Sequence, residues 1–356
     1  MEQKLIFTNA VGNALDNLVD ALDAASVTII TDTNTLRLVL PLLQADSRTA
    51  ASARIITIKS DDINKNLDGL KHVWTGLAEG DVTRKSLIIN LGGGVVTDLG
   101  GFAAATFKRG IPYINIPTTL LGAVDASVGG KTAINFNGLK NQLGTFTEAL
   151  ASVISTVYLN TLPRQEILSG YAEMLKHGLL DDTDTFASLL KYNPIYPDFE
   201  SESLLPLLRK SVSVKSRIVE ADPLEKGPRK ALNLGHTAGH AIEAFAMKHG
   251  KPIPHGYAVA HGLVIELVLS HIRLGFPAET LRQLAAYILE NYGAFDIRCD
   301  DYDELISYMR ADKKNSTPDE INFTLLHAIG KPQTDCTAAP GQIGAAIDIY
   351  RDLTGL

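Results

Sequence analysis

The sequence predicts an α/β + α architecture, with a parallel-sheet domain over residues 1–162 and a mainly helical domain over residues 163–356. Three observations predict it. Short β-branched runs alternate with helical patterns through the first part, the succession that gives a parallel sheet covered by helices. One run, Ser86-Leu87-Ile88-Ile89-Asn90-Leu91, reads as a strand covered on both faces and ends at Gly92-Gly93-Gly94. After Leu162-Pro163 the pattern becomes helical, and only residues 321–326 could be extended.

Element by element, residues 27–30 read as the first strand and 36–43 as the helix after it. Residues 54–58 form the next strand, followed by a helix whose Leu67, Leu70, Trp74 and Leu77 make a stripe expected to be buried. The strand at 86–91 leads to a small-residue helix at 98–107, then to strands at 111–116 and 152–157. Helices are expected at 162–180, 204–220, 229–248 and 256–274, with further helices to the C-terminus.

Bulk properties exclude several function classes. A chain of 356 residues can build two cores. Its net charge of −7 argues against non-specific nucleic-acid binding, so clustered lysines serve a local site. Cys299 and Cys336, the only cysteines, exclude a disulfide framework and suit a reducing compartment. No secretory segment follows Met1, and the best apolar run, 257–272, is broken by His261, Glu266 and His271. The expectation is a cytoplasmic protein with no nucleic-acid or membrane partner.

The stretch 92–145 holds a glycine turn, Pro117-Thr118-Thr119, and two basic loops at Gly129-Gly130-Lys131-Thr132 and Lys140-Asn141. Glycines admit a ligand close to the backbone, helix-start amides donate to anions, and lysines neutralise phosphate. The turn matches neither Gly-x-Gly-x-x-Gly nor a P-loop, and its plainer reading is a tight turn that needs positive φ. Asp98 is placed to cap the first turn or to meet a ribose. Asp32 and Asp61-Asp62 stand at carboxyl ends of strands, where open sheets bind ligands. Asp61 and Asp62 read first as helix N-caps.

The second half carries the metal signal. His236 and His240 stand four apart on one helical face, His255 starts the next helix, and Glu173 and His177 form a rival pair. Spacing alone selects His236, His240 and His255 as ligands. Lys176, Lys215, Arg229 and the Asp312-Lys313-Lys314 run supply the positive charge that a phosphate and a carboxylate would need.

Together these residues resemble the 3-dehydroquinate synthases of the sugar-phosphate cyclase family, from about Thr31 to about Gly330. The most specific segments are 92–109, 117–144, 169–178, 229–243 and 255–260. The resemblance implies a Rossmann-like N-terminal domain that binds NAD and a helical C-terminal domain that holds zinc or cobalt. It implies Glu173, His236 and His255 as metal ligands, moving His240 to a substrate-side or proton-relay role and setting His177 aside. Residues matching the NAD contacts are Asp32, Asn34, Asp62, Lys65, Gly94, Val95, Asp98, Thr118, Thr119, Lys131, Lys140 and Thr161. Those matching the contacts to a small sugar-phosphate substrate are Arg109, Asp125, Lys131, Asn141, Lys176, Lys215, Arg229, Asn233 and His240, with Lys313 or Lys314.

The reaction it implies is cyclisation of 3-deoxy-D-arabino-heptulosonate 7-phosphate with loss of phosphate, in a homodimeric enzyme. Rival readings are another sugar-phosphate cyclase and a metal- and NAD-dependent alcohol dehydrogenase of the glycerol type. Thr97 replaces a usual glycine, Asp62 a glutamate and Phe136-Asn137 a His-Pro pair, and the 240–255 segment runs longer than usual.

Overall fold

The computed structural model describes residues 3–194, 201–311 and 321–355. Backbone contacts divide the chain into two compact units, Met1–Pro163 with Glu200–Val212, and Arg164–Phe199 with Ser213–Leu356.

The first unit runs β1 (Lys4–Phe7), α1 (Val11–Leu22), β2 (Val27–Asp32), α2 (Thr33–Leu38), α3 (Leu40–Asp46), α4 (Arg48–Ser52) and β3 (Arg54–Ile58). It continues through α5 (Leu67–Glu79), β4 (Leu87–Gly92), α6 (Gly94–Thr106), β5 (Tyr113–Pro117), the hairpin strands β6 (Lys131–Phe136) and β7 (Leu139–Phe146), and β8 (Ala151–Ile154). Six strands form one sheet in the order β1-β8-β5-β4-β2-β3, every pairing parallel. Ile30 and Ile88 pack with α5 and α6 on one face, while Ile29 and Ile89 pack with α1 and α3 on the other. Burial on both faces is why these strands read as unbroken apolar runs.

Several expectations need correction here. The two basic loops of the 92–145 stretch are strands: Lys131 opens β6, and Lys140-Asn141 lies in β7. Leu67 of the predicted stripe is 49% exposed, and Val73 fills the buried position. The helix expected at 36–43 breaks at Val39, and the helix expected from Asp98 already starts at Gly94. Asp61 occupies an N-cap position without a side-chain cap bond, because its own φ of +78° turns the chain there. None of Gly92, Gly93 and Gly94 has positive φ, so the glycine turn is not a left-handed turn. Space explains two of them: a Cβ on Gly92 would lie 2.4 Å from Val96 Cγ2, and one on Gly93 2.9 Å from Thr119 Cγ2.

The second unit continues with α7 (Arg164–Leu180), α8 (Thr183–Lys191), α9 (Ser201–Ala221), α10 (His236–Lys248), α11 (His255–Leu274), α12 (Ala278–Tyr292) and α13 (Tyr302–Arg310). The antiparallel pair β9 (Ile321–Ala328) and β10 (Lys331–Ala338) and helix α14 (Pro340–Thr354) complete it. α9 begins in the first unit, where the Arg209 guanidinium lies 4.9 Å over the Phe7 ring. The helix expected over 229–248 is interrupted, because a 3-10 turn ends at Asn233 and Gly235 adopts φ +78° before α10 begins. Contrary to the sequence reading, α11 is long and apolar enough to cross a membrane, yet 72% of that window is buried inside the protein. It is a core helix, so its apolar length has a packing explanation.

Three helices of this unit meet through glycine. A Cβ on Gly256 of α11 would lie 1.9 Å from Ser169 O of α7, and one on Gly262 2.1 Å from Gly235 O. Real Cβ atoms do not approach backbone so closely, so α7 and α10 sit against α11 at a spacing only glycine permits.

Gly262→Ala is therefore expected to destabilise the protein by about 1–3 kcal/mol or more, through forced separation of α10 from α11. Gly341→Ala, on α14 with nothing within 4 Å of its Cβ, serves as the comparison and should stay within about 1 kcal/mol of the parent. Denaturant unfolding of both variants measures the difference, and equal midpoints would show that the helices have room.

Candidate functional site

Each ligand-bearing side chain of the second unit sits on one of those three helices. Glu173 lies on α7, completely buried, His236 is the first residue of α10, and His255 is the first residue of α11. One ligand atom from each lies within 4.8 Å of the others. His236 Nε2 and His255 Nε2 stand 3.5 and 3.6 Å from Glu173 Oε1. Bonds of ~2.1 Å at tetrahedral angles put ligand atoms about 3.4 Å apart, so this spacing suits one divalent cation.

The outer nitrogens support the same reading. His236 Nδ1 is 3.1 Å from Leu234 O, and His255 Nδ1 is 3.1 Å from Glu243 Oε2. With Nδ1–H donated outward, each ring presents an Nε2 lone pair to the shared centre. Neither Glu173 carboxylate oxygen has a partner in hydrogen-bonding geometry among the described residues, although Lys176 Nζ makes an ion pair with Oε2. Burial opposes ionisation of Glu173, but Lys176 and the two imidazoles hold it well below the usual carboxylate range. Desolvation holds His236 well below the ordinary imidazole value. Desolvation also acts on His255, but the facing Glu173 and Glu243 carboxylates push it up to about 9, so a cation bound there would displace the Nε2 proton. An anionic, otherwise unsatisfied carboxylate facing two oriented imidazoles fits a zinc- or cobalt-type ion.

His240, which spacing favours, lies on the same face of α10, with ring centroids 5.4 Å from His236 and 6.0 Å from His255. The cluster that could hold an ion contains Glu173 in its place. His177 is fully buried one turn beyond Glu173 and is not part of the cluster. Sequence reasoning missed Glu243, although its place seven residues beyond His236 and three beyond His240 puts it on their helical face.

The basic side chains of this unit are strongly buried. Lys176, Lys215 and Arg229 are 2%, 6% and 2% exposed, a burial that such residues reach only when paired, as Lys176 is with Glu173. Arg229 follows a loop organised by Asp222, whose carboxylate accepts from the amides of Lys226, Gly227 and Arg229. The guanidinium donates to Pro223 O at 2.6 Å, and Asn233 Nδ2 donates to Glu225 Oε1. Lys313 and Lys314 lie outside the described residues.

In the first unit, connections leave neighbouring strands β2 and β4 in opposite directions, β2 to β3 on one side and β4 to β5 on the other. Open sheets bind ligands at the carboxyl ends of strands at such a switch point. Here those ends carry Asp32 and Gly92. A Cβ on Gly92 would come 3.1 Å from Asp32 Oδ2. Asp32 also caps α2, its Oδ1 accepting from the Asn34 and Thr35 amides and its Oδ2 from Thr35 Oγ1. Thr118 Oγ1 is 3.4 Å from Thr35 Oγ1, and Thr119 Oγ1 accepts from Gly122 N. A Cβ on Gly94 would make only an ordinary contact, 3.6 Å from Ala126, so packing alone does not demand glycine at the first residue of α6. Val95 and Asp98 follow on that helix.

Lys65 ties the second acidic group together. Its Nζ lies 2.9 Å from Asp98 Oδ2 and 3.4 Å from Asp62 Oδ1, and Lys140 Nζ is 3.9 Å from Asp62 Oδ2. Asn135 Nδ2 donates to Asp62 Oδ2. Asp62 is therefore a network member and not the N-cap that was expected, and Asp98, left open between a cap and a ribose contact, joins the same network. Burial raises Asp98, with Lys65 opposing; desolvation lowers Lys65, but Asp98 and Asp62 raise it overall. Asn141, at φ +53°, donates its amide to Asn135 Oδ1, and Lys131 begins the opposite strand of that hairpin. Asp125 lies in a π-helical turn and is close enough to Asp98 to raise it. Thr161 donates to Tyr158 O beyond β8. Arg109 precedes β5 at the amino end of the sheet, so the structure does not gather it with the switch-point residues.

Comparison with known proteins shows the family. Residues 55–169 match the family described as 3-dehydroquinate synthase N-terminal, and residues 170–315 match 3-dehydroquinate synthase C-terminal. A 3-dehydroquinate synthase from Parabacteroides distasonis is 45% identical over 355 residues, covering 100% of this chain and 99% of that enzyme. One from Streptococcus pyogenes serotype M5 is 36% identical over 337 residues, 92% of each. The fold is similar to that of ValA, a 2-epi-5-epi-valiolone synthase from Streptomyces hygroscopicus with NAD+ and Zn2+ bound, with a TM-score of 0.86, 24% identity and coverage of 99% and 97%. The chain belongs to the 3-dehydroquinate synthase family.

Proposed function

We propose that this chain converts 3-deoxy-D-arabino-heptulosonate 7-phosphate to 3-dehydroquinate and inorganic phosphate, as a carbon–oxygen lyase of the shikimate pathway and aromatic amino-acid biosynthesis. The observation that carries this reading is the convergence of Glu173, His236 and His255 within 4.8 Å, in a chain 45% identical to a 3-dehydroquinate synthase over its whole length. The same reading takes the protein to be a cytoplasmic homodimer.

Glu173, His236 and His255 would hold zinc or cobalt, which supplies a Lewis acid for substrate hydroxyls. Asp32, Asn34, Asp62, Lys65, Gly94, Val95, Asp98, Thr118, Thr119, Lys140 and Thr161 would hold NAD, which takes up a hydride and gives it back. The remaining work falls to this chain's own side chains. Lys131, Lys176 and Asn141 are each suited, by charge or by amide, to bind a phosphate and to neutralise it as it leaves. Lys215 and Arg229 hold the substrate carboxylate, whose two oxygens match a guanidinium fork. Asp125 and Asn233 orient hydroxyls, with Lys314 or Lys313 as a further basic contact, while Arg109, which the resemblance assigns to substrate, stands at the amino end of the sheet and is given no role at the switch point. His240 moves a proton when the ring opens before the carbocycle closes.

Two rivals differ in what they release. A glycerol-type alcohol dehydrogenase would accumulate NADH and would have no use for Lys131 and Asn141. Another sugar-phosphate cyclase would act on a substrate without the carboxylate that Lys215, Arg229 and Asn233 are suited to meet.

Incubation with NAD, cobalt and the heptulosonate phosphate is expected to release phosphate in step with substrate consumption, without net NADH. Steady growth of NADH absorbance would identify a dehydrogenase instead. His236→Ala is expected to lose bound metal, while His240→Ala keeps it and loses turnover by about a hundredfold or more. Metal analysis after gel filtration decides, and equal loss in both variants would restore His240 as a ligand.

A further inference from the structure

α10 opens with two histidines of the site but has no side chain at its own N-cap. Gly235 holds that position at φ +78°, leaving the first amides of the helix to find acceptors elsewhere. Two amides of this helix start, those of Gly235 and Ala238, find theirs on α11. Glu266, completely buried, accepts from Gly235 N at 2.6 Å through Oε2 and from Ala238 N at 3.0 Å through Oε1. Gly262, one turn earlier on the same face of α11, makes the approach possible.

The Gly235 N–H belongs to the same planar peptide unit as the Leu234 carbonyl. That carbonyl is the oxygen 3.1 Å from His236 Nδ1. Glu266 therefore grips one end of a rigid plane whose other end holds the outer nitrogen of His236. An acceptor carboxylate also polarises the peptide, strengthening the carbonyl as an acceptor and keeping the proton on Nδ1. The second contact, at Ala238, lies midway between His236 and His240 along the chain, so both rings start from a backbone clamped to α11.

We propose that Glu266 is a positioning residue for the metal site: through the Leu234–Gly235 peptide it sets the tautomer and aim of His236, and through Ala238 it fixes the helical turn carrying His240. The proposal rests on the reading of Glu173, His236 and His255 as metal ligands. Negative charge at a helix start is also favourable in itself, so the test must separate aim from stability.

The test is a cobalt titration of the chelator-stripped parent, Glu266→Gln and His236→Ala proteins, read by affinity and by the cobalt absorption spectrum. Circular dichroism verifies folding. Glu266→Gln keeps the size of the side chain but loses its charge and one acceptor. It is expected to stay folded, to bind cobalt about 10–100-fold more weakly and to show an altered spectrum. A merely structural cap would lower the melting temperature and leave both cobalt readouts as in the parent, and that result would overturn the proposal. If Glu266→Gln does not fold, Glu266→Asp, which keeps the charge at shorter reach, replaces it. There a parent-like spectrum and affinity would count equally against the idea. A His236→Ala protein that binds cobalt as the parent does would instead overturn the metal-site reading itself, and the proposal with it.

Discussion

The close passage of α7 and α10 against α11 is the constraint on which the candidate metal site depends. Glu173, His236 and His255 come from three different helices, and no single helix could bring their ligand atoms within 4.8 Å. Backbone-to-backbone contact at Gly256 and Gly262 brings the helix axes near enough for three short reaches to converge. Larger residues at these contacts would push the helices apart, and side chains held by their own rotamers could not follow.

Close packing also decides how the site's polar groups are satisfied. A buried carboxylate without partners would be costly, yet Glu173 and Glu266 both sit at 0% exposure. Glu266 meets its cost with two helix-start amides. Glu173 meets part of its cost with Lys176 and two imidazoles, and keeps oxygens outside hydrogen-bonding geometry. One buried acid is thus structurally complete and the other is not, and the incomplete one faces the histidines. That contrast between two buried glutamates separates a candidate ligand from a support.

The first unit builds its ligand end differently. There the sheet supplies the geometry, since β2 and β4 diverge in connection and leave Asp32 and the glycine turn side by side. The glycines serve packing against Val96 and Thr119 at two positions, while the third would tolerate a Cβ at ordinary contact distance. Lys65, 5% exposed, gathers Asp62 and Asp98 into one network that the spacing of those residues in the chain does not suggest.

Much of this was legible in the residues themselves. The parallel strands showed as β-branched runs because both their faces are buried, and the switch to helices after Pro163 showed in periodicity. The His-x-x-x-His spacing on α10 announced a site. Spacing by itself, however, preferred His240 to Glu173, because sequence distance records positions along one helix and not which neighbouring helix packs against it. The β6–β7 hairpin escaped for a related reason: β7 is exposed along most of its eight residues, so it carries no run of buried apolar side chains to mark it as a strand. The sequence by itself determined the fold class and the family. Only the tertiary structure decided that Glu173 faces His236 and His255, that Glu243 and Glu266 stand behind them, and that Asp62 and Asp98 share Lys65. Those pairings join residues far apart in the chain, and only helix and strand packing brings them within reach.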